Sequence, residues 1–277
     1  MATLMRFPGF KKKVFTLSYD DGSIYDKRLI EIMSRHGIRG TLNVHSSVLG
    51  THDKNLGREE LVSLIKESGN EIAVHGYRHL SLACTDIGAA AYDVIKDREV
   101  LETLFGRVVK GMAYANGSFN SEVLDMIRCC GIEYSRTTIS TEGFKLPEDW
   151  LRLNPTCHHK NPRLMELAES FVANDDEQVY FRKKGVKMFY VWGHSYEFDR
   201  DGNWELFEQL CSFVGGRDDV WYATNGEIYD YVEAYRRLRF SHDGKIIHNP
   251  SATDICAYDG KAGEIIIRSG ETLNLND

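Results

Sequence analysis

The chain has 277 residues, with 34 Lys and Arg against 41 Asp and Glu, a formal charge of -7 at pH 7. Apolar residues make up 42% and are evenly spread with only 5 prolines, which excludes disorder, collagen and low-complexity repeats and leaves room for a full core. The one basic run, Lys11–Lys13, is too short to neutralise a phosphate backbone, so no nucleic-acid partner is expected.

The opening segment, MATLMRFPGFKKK, lacks the apolar core of a signal peptide, and no later run is long enough to span a bilayer. No membrane partner and a cytoplasmic location are therefore expected. Val14–Ser18 reads as a strand, followed by a polar turn over Tyr19–Ser23 and a helix over Ile24–His36 that Gly37 stops. Ile38–Val44 is a second strand, Arg58–Ser68 a helix ended by Gly69, and Glu71–Val74 a third strand. Asp86–Phe105 is a long helix closed by Gly106, Val109–Ala113 a fourth strand, Ser118–Cys130 a helix, and Ile132–Arg136 a fifth strand. Thr137–Asn161 is irregular. Helices over Pro162–Val172 and Glu177–Lys184 follow, then an apolar strand at Lys187–Gly193. Trp204–Phe213 reads as a helix, Val220–Thr224 as a strand and Gly226–Leu238 as a last amphipathic helix.

Strands alternating with Gly-closed helices imply parallel strands with crossover helices. The number of units suits an α/β fold of the (β/α)-barrel type, closed or nearly so, over residues 1–239. From 240 to 277 the pattern changes to short runs between Asp-Gly and Ser-Gly turns, which reads as a small β-meander module. Six cysteines without a CxxC pair read as reduced, buried thiols; Cys157 beside His158 is the only thiol–imidazole neighbour along the chain.

Four polar clusters fall directly after strands: Asp20–Asp21, His75–His79, Tyr114–Gly117 and His194. All strand C-termini of a parallel barrel open on one face, so these groups converge however distant they are in sequence. His75 and His79, four apart, would project to one side of a helical turn and grip one metal ion; two surface histidines are the bland alternative. Asp20 and Asp21 repel one another unless one binds a cation, whereas Asp-Asp-Gly as plain turn chemistry is the competing account. An Asp-His-His set leaves metal positions open for water and substrate, as a catalytic site requires. The second carboxylate can then accept a proton from the bound water.

TLSYDDG followed by HGYRH resembles the polysaccharide deacetylase (NodB-like) family, carbohydrate esterase family four, and the likeness runs roughly from Val14 to Thr224. That resemblance implies a distorted seven-stranded barrel, Asp20 as general base, and Asp21, His75 and His79 as ligands of a divalent metal. Zinc is the first choice, with cobalt, nickel or iron as alternatives. FYVWGH matches the family's last motif and makes His194 the general acid; Tyr114 matches its Tyr, whose backbone N–H helps bind the oxyanion. Two departures stand out. Gly76 replaces the usual Ser or Thr, and Met112–Gly117 lacks the Arg that normally holds the catalytic Asp. Asp149 is a guess for the carboxylate beside the catalytic His; Glu197 either orients His194, binds substrate or is a surface-loop carboxylate; and Arg152, His158 and His159 either serve the site or face solvent, with solvent preferred. The aromatics near His194, Trp192, Trp204 and Trp221 either stack on a sugar or fill the core. The activity implied is deacetylation of an N-acetylated sugar or oligosaccharide, or of another N-acyl compound. A cyclic amide or ureide hydrolase of allantoinase type and a non-catalytic carbohydrate binder are the alternatives.

Overall fold

The structure is a computed structural model and describes residues 3–173 and 185–275; the helix expected at Glu177–Lys184 lies outside them. Eight parallel strands build the centre: β1 (Lys13–Asp20), β2 (Thr41–Val44), β3 (Glu71–Val74), β4 (Gly111–Ala113), β5 (Tyr134–Arg136), β6 (Cys157–His158), β7 (Lys187–Gly193) and β8 (Val220–Tyr222). They pair in the order β5-β4-β3-β2-β1-β7-β6, and β8 joins the lower end of β1. The chain forms the expected (β/α) barrel.

Its closure comes from the stretch that the sequence leaves irregular. Leu153 bridges Arg136 of β5, while Cys157 and His158 pair with Val191 and Trp192 of β7, so residues 153–158 span the gap between the two edges. A strand of two residues has no readable period, which is why β6 is silent in the sequence.

Each strand sorts its side chains by alternation. On β1, Phe15, Leu17 and Tyr19 join the large hydrophobic cluster, while Thr16, Ser18 and Asp20 meet polar partners from neighbouring strands and α8 (Asn225–Arg236). The crossover helices α1 (Asp26–Arg35), α2 (Arg58–Ser68), α3 (Ile87–Phe105), α4 (Ser121–Cys129), α5 (Leu164–Val172) and α7 (Trp204–Val214) bury their apolar faces in that cluster. The α3 helix starts where the Asp86 carboxylate accepts the N–H groups of Gly88 and Ala89, a cap worth about 1 kcal/mol. One helix was missed: α6 (Ser195–Asp201) follows His194 at once, too short and polar to show periodicity.

The C-terminal segment forms short antiparallel pairs, Arg239–Phe240 with Ile246–His248, Ile246–His248 with Thr272–Asn274, and Ile255–Asp259 with Gly263–Ile267. Leu4–Met5 adds to the last of these sheets, so the beginning of the chain pairs with its end. Ile247, Ile255, Ala257 and Ile267 pack in one cluster with Phe7, Val14, Tyr190 and Tyr231 of the barrel side.

Candidate active site

The C-terminal ends of β1, β2, β3, β5 and β7 converge at one mouth. At the end of β1, Asp20 points inward and is buried; Asp21 (φ 82°) and Gly22 (φ 68°) then take left-handed conformations that turn the chain sharply. Asp21 Oδ1 lies 3.6 Å from His75 Nε2 and 3.6 Å from His79 Nε2, and the two imidazole nitrogens are 3.2 Å apart. These are the edges of a tripod; a tetrahedral ion with bonds of about 2.1 Å has ligand–ligand edges of roughly 3.4 Å. His75 Nδ1 lies 2.9 Å from the Ala113 carbonyl, which only accepts, so Nδ1 carries the proton and Nε2 turns its lone pair to the tripod. Burial pushes the His75 pKa down, against the pull of Asp20 and Asp21, and keeps the ring neutral as a ligand must be. Asp21 Oδ1 is buried with no hydrogen-bond partner, an orphaned acceptor at the point where a cation would sit. The donor set therefore fits a divalent ion.

The His75–His79 turn is not helical, contrary to expectation. Gly76 (φ 82°) and His79 (φ 56°) are both left-handed, and a tight turn rather than a helix brings the two rings onto one side. This also explains Gly76 in place of Ser or Thr. A Cβ there would lie 2.8 Å from Asp93 Oδ2, in addition to the positive φ. Asp93 accepts from the backbone N–H and Nε of Arg78, and Asp97, one turn on along α3, accepts from the N–H groups of His75 and Ser46. Two buried carboxylates on α3 thus clamp the ligand turn from behind.

Asp20 has its missing partner after all. The Arg136 guanidinium, fully buried at the end of β5, donates from Nη2 to Asp20 Oδ2, and Asn43 Nδ2 donates to Oδ1 at 2.8 Å. Arg136 is in register with Ala113, so the cation comes from the strand beside the motif that lacks it. It lies 4.2 Å over the Trp192 ring, which assigns that indole to packing rather than to sugar stacking; Trp204 is likewise buried, under Arg28. Burial alone would raise the Asp20 pKa, but Arg136, His75, His194 and Asn43 outweigh it and hold the carboxyl below its ordinary value, as an anion. The signal for Arg136 was present: it ends a strand in phase with Tyr134, whose hydroxyl also reaches inward to Glu71.

Tyr114 does not offer what the resemblance implies. Its backbone N–H is donated to the Arg136 carbonyl at 3.0 Å in the β4–β5 ladder, and its hydroxyl to the Leu151 carbonyl at 2.9 Å. Neither group is free to meet an oxyanion.

His194 caps β7 with Nε2 3.9 Å from both Asp20 Oδ2 and Asp21 Oδ2, and Nδ1 3.3 Å from Glu197 Oε2. Burial disfavours the imidazolium, but the hydrogen bond to Glu197 and the charges of Asp20 and Asp21 prevail and raise its pKa. Glu197, in the first turn of α6, takes the place guessed for Asp149, which instead caps Leu151 N–H and faces Arg152. Arg152 is exposed as expected. His158 and His159 are not: both turn toward Glu197, at 3.1 and 3.3 Å, and His159 is buried.

One imidazole was overlooked. His45 follows β2, and its Nε2 lies 3.8 Å from Asp21 Oδ1; a His directly after a strand is the same signal that exposed His194. It lines a cavity of about 390 Å³ beside Asp21, with Ser23, Tyr25, Asn55 and Tyr196. Cys157 is buried, which pushes its thiol pKa up to about 12 and disfavours the thiolate. Cys84 and Cys129 are exposed, against the expectation that all six thiols are buried.

Residues 8–135 match the family model described as polysaccharide deacetylase. No curated protein matches the chain. Among solved structures, a provisionally assigned polysaccharide deacetylase from Mycobacterium smegmatis aligns with a TM-score of 0.60 at 17% identity, covering 85% of this chain and 95% of that one. A family 4 carbohydrate esterase from Streptomyces lividans aligns with a TM-score of 0.47 at 12% identity, over 76% of this chain and 91% of that one. The Streptococcus pyogenes deacetylase PplD aligns with a TM-score of 0.46 at 18% identity; the match covers 50% of this chain and only 61% of that protein. The segment that matches the polysaccharide deacetylase model contains Asp20, Asp21, His75 and His79.

Proposed function

We propose that the protein is a divalent-metal-dependent hydrolase of C–N amide bonds that removes the acetyl group from an N-acetylated sugar or oligosaccharide. The observation that carries this reading is the meeting of three groups within 4 Å: the Asp21–His75–His79 tripod, the buried Asp20 carboxylate and the His194 imidazole. The ion held by Asp21, His75 and His79, for which two imidazoles and a carboxylate favour zinc, would polarise the acyl carbonyl and acidify a water.

Asp20 takes the proton from the attacking water. Arg136 and Asn43 fix its two oxygens, so the carboxylate needs no reorganisation when it does so. His194 gives the proton to the departing amine from Nε2, and Glu197 keeps the imidazole charged until then. The cavity beside Asp21 has the polar lining, two tyrosines and an asparagine among it, that suits a sugar ring. With Arg136 on Asp20, the lost motif-three arginine no longer favours a non-catalytic carbohydrate binder.

The test combines metal analysis of the purified protein with acetate release from N-acetylated chitooligosaccharides, and allantoin as a parallel substrate. One bound ion together with acetate release is the expected result. Turnover of the ureide alone moves the reading to a cyclic amide hydrolase, and sugar binding without metal or turnover overturns it.

A further inference from the structure

Glu197 gathers more basic groups than one imidazole requires. Its Oε2 lies 3.1 Å from His158 Nε2, 3.3 Å from His159 Nε2 and 3.3 Å from His194 Nδ1; its Oε1 lies 3.1 Å from Lys160 Nζ. The Lys160 backbone N–H donates to His158 Nδ1 at 3.1 Å, which leaves the His158 proton on Nε2, the nitrogen beside the carboxylate. His158 is held in turn by its backbone, because β6 is in register with Trp192, two residues before His194. The His158 and Trp192 rings pack edge to face at 4.6 Å. His159 sits against Phe198 at 4.1 Å and walls the far side, its ring nitrogens without hydrogen-bond partners. A divalent ion among His158, His194 and Glu197 would need the lone pair of His158 Nε2, and the Lys160 N–H on Nδ1 places a proton there instead.

We propose that His158 is a positioning residue for His194, acting through Glu197, so that His158, Glu197 and His194 form a hydrogen-bonded His–Glu–His line from the closing strand to the proton donor. Without His158, Glu197 Oε2 loses its firmest fixed donor, and Lys160 and Arg200 on Oε1 draw the carboxylate away from His194. The imidazole then loses the acceptor that defines its tautomer and aims Nε2 at the substrate. Burial opposes the charge on Glu197, yet the hydrogen bonds from His158, His194 and Lys160 hold its carboxyl well below the ordinary range, in keeping with a carboxylate that only accepts.

This inference rests on the deacetylase reading for its kinetic arm but not for its spectroscopic one. In His158→Leu, kcat for acetate release is expected to fall about 10-fold with KM and bound metal unchanged, and His158→Gln, which keeps an N–H donor, to recover most of the loss. Nitrogen-15 spectra of the imidazoles should show neutral His194 protonated at Nδ1 in the wild type and as a tautomer mixture in His158→Leu. An unchanged His194 tautomer in a folded His158→Leu protein overturns the proposal. So does a rise in KM at constant kcat, which would make His158 a substrate contact. Wild-type protein that releases no acetate defeats the deacetylase reading instead, and the tautomer measurement still decides the role of His158.

Discussion

The two halves of the mouth differ in how they are built. On the side of β1 to β3, each chemical group sits beside its neighbour in sequence: Asp20 next to Asp21, His75 four residues before His79. On the side of β5 to β7, Arg136 and His158 depend on partners from elsewhere, Asp20 and Glu197, and only His194 finds its carboxylate close by in sequence. The difference is one of constraint. Asp21, Gly76 and His79 hold left-handed conformations, which ties the proposed ion ligands to a fixed spacing along the chain. A guanidinium that only needs to touch a carboxylate oxygen is free to come from any adjacent strand.

The comparison breaks first at its centre. Asp20→Asn should lower acetate release by about 1,000-fold while one equivalent of metal still binds, as read by steady-state rates and metal analysis. Loss of metal with the activity would make Asp20 a ligand and merge the two halves. Arg136→Met should cost about 100-fold in kcat and, by leaving a buried carboxylate unpaired, about 3–5 kcal/mol of stability in chemical denaturation. Removing the cation raises the Asp20 pKa, so the acid limb of the pH–rate profile should move to higher pH.

Glu197→Gln should act at the opposite limb. It removes the charge that holds the His194 pKa up, so the alkaline limb should shift to lower pH, with a rate loss of about 10-fold. A shift of the acid limb instead would exchange the roles of the two groups. The smallest effect is structural: Gly76→Ala, strained by its φ and by Asp93, should lower stability by about 1–3 kcal/mol in calorimetry. An unchanged melting temperature would show that the ligand turn is less constrained than its dihedrals indicate.

Most of the barrel was legible because long apolar strands and Gly-stopped helices announce themselves: Arg58–Ser68, Glu71–Val74 and Lys187–Gly193 have the observed bounds. What stayed hidden was short or non-local. The two residues of β6 and the seven of α6 show no period, yet they carry His158 and Glu197. Asp20, Asp21, His75, His79 and His194 are candidates that stand out by their places after strands. His45 and Arg136 obey the same placement rule, one just past β2 and the other closing β5, and were passed over for want of a motif. Tyr114 shows the converse error, since likeness of residue type said nothing of whether its N–H was already committed to a ladder.

The strand that ends in the two aspartates is gripped along both edges, by β7 from Lys13 to Tyr19 on one side and by β8 and then β2 on the other. Amide protons from Val14 to Tyr19 should thus be among the slowest in the chain to exchange with deuterated solvent. Whatever breathing admits a substrate must then come from the loops around the mouth, with the aspartates standing on the least yielding part of the wall.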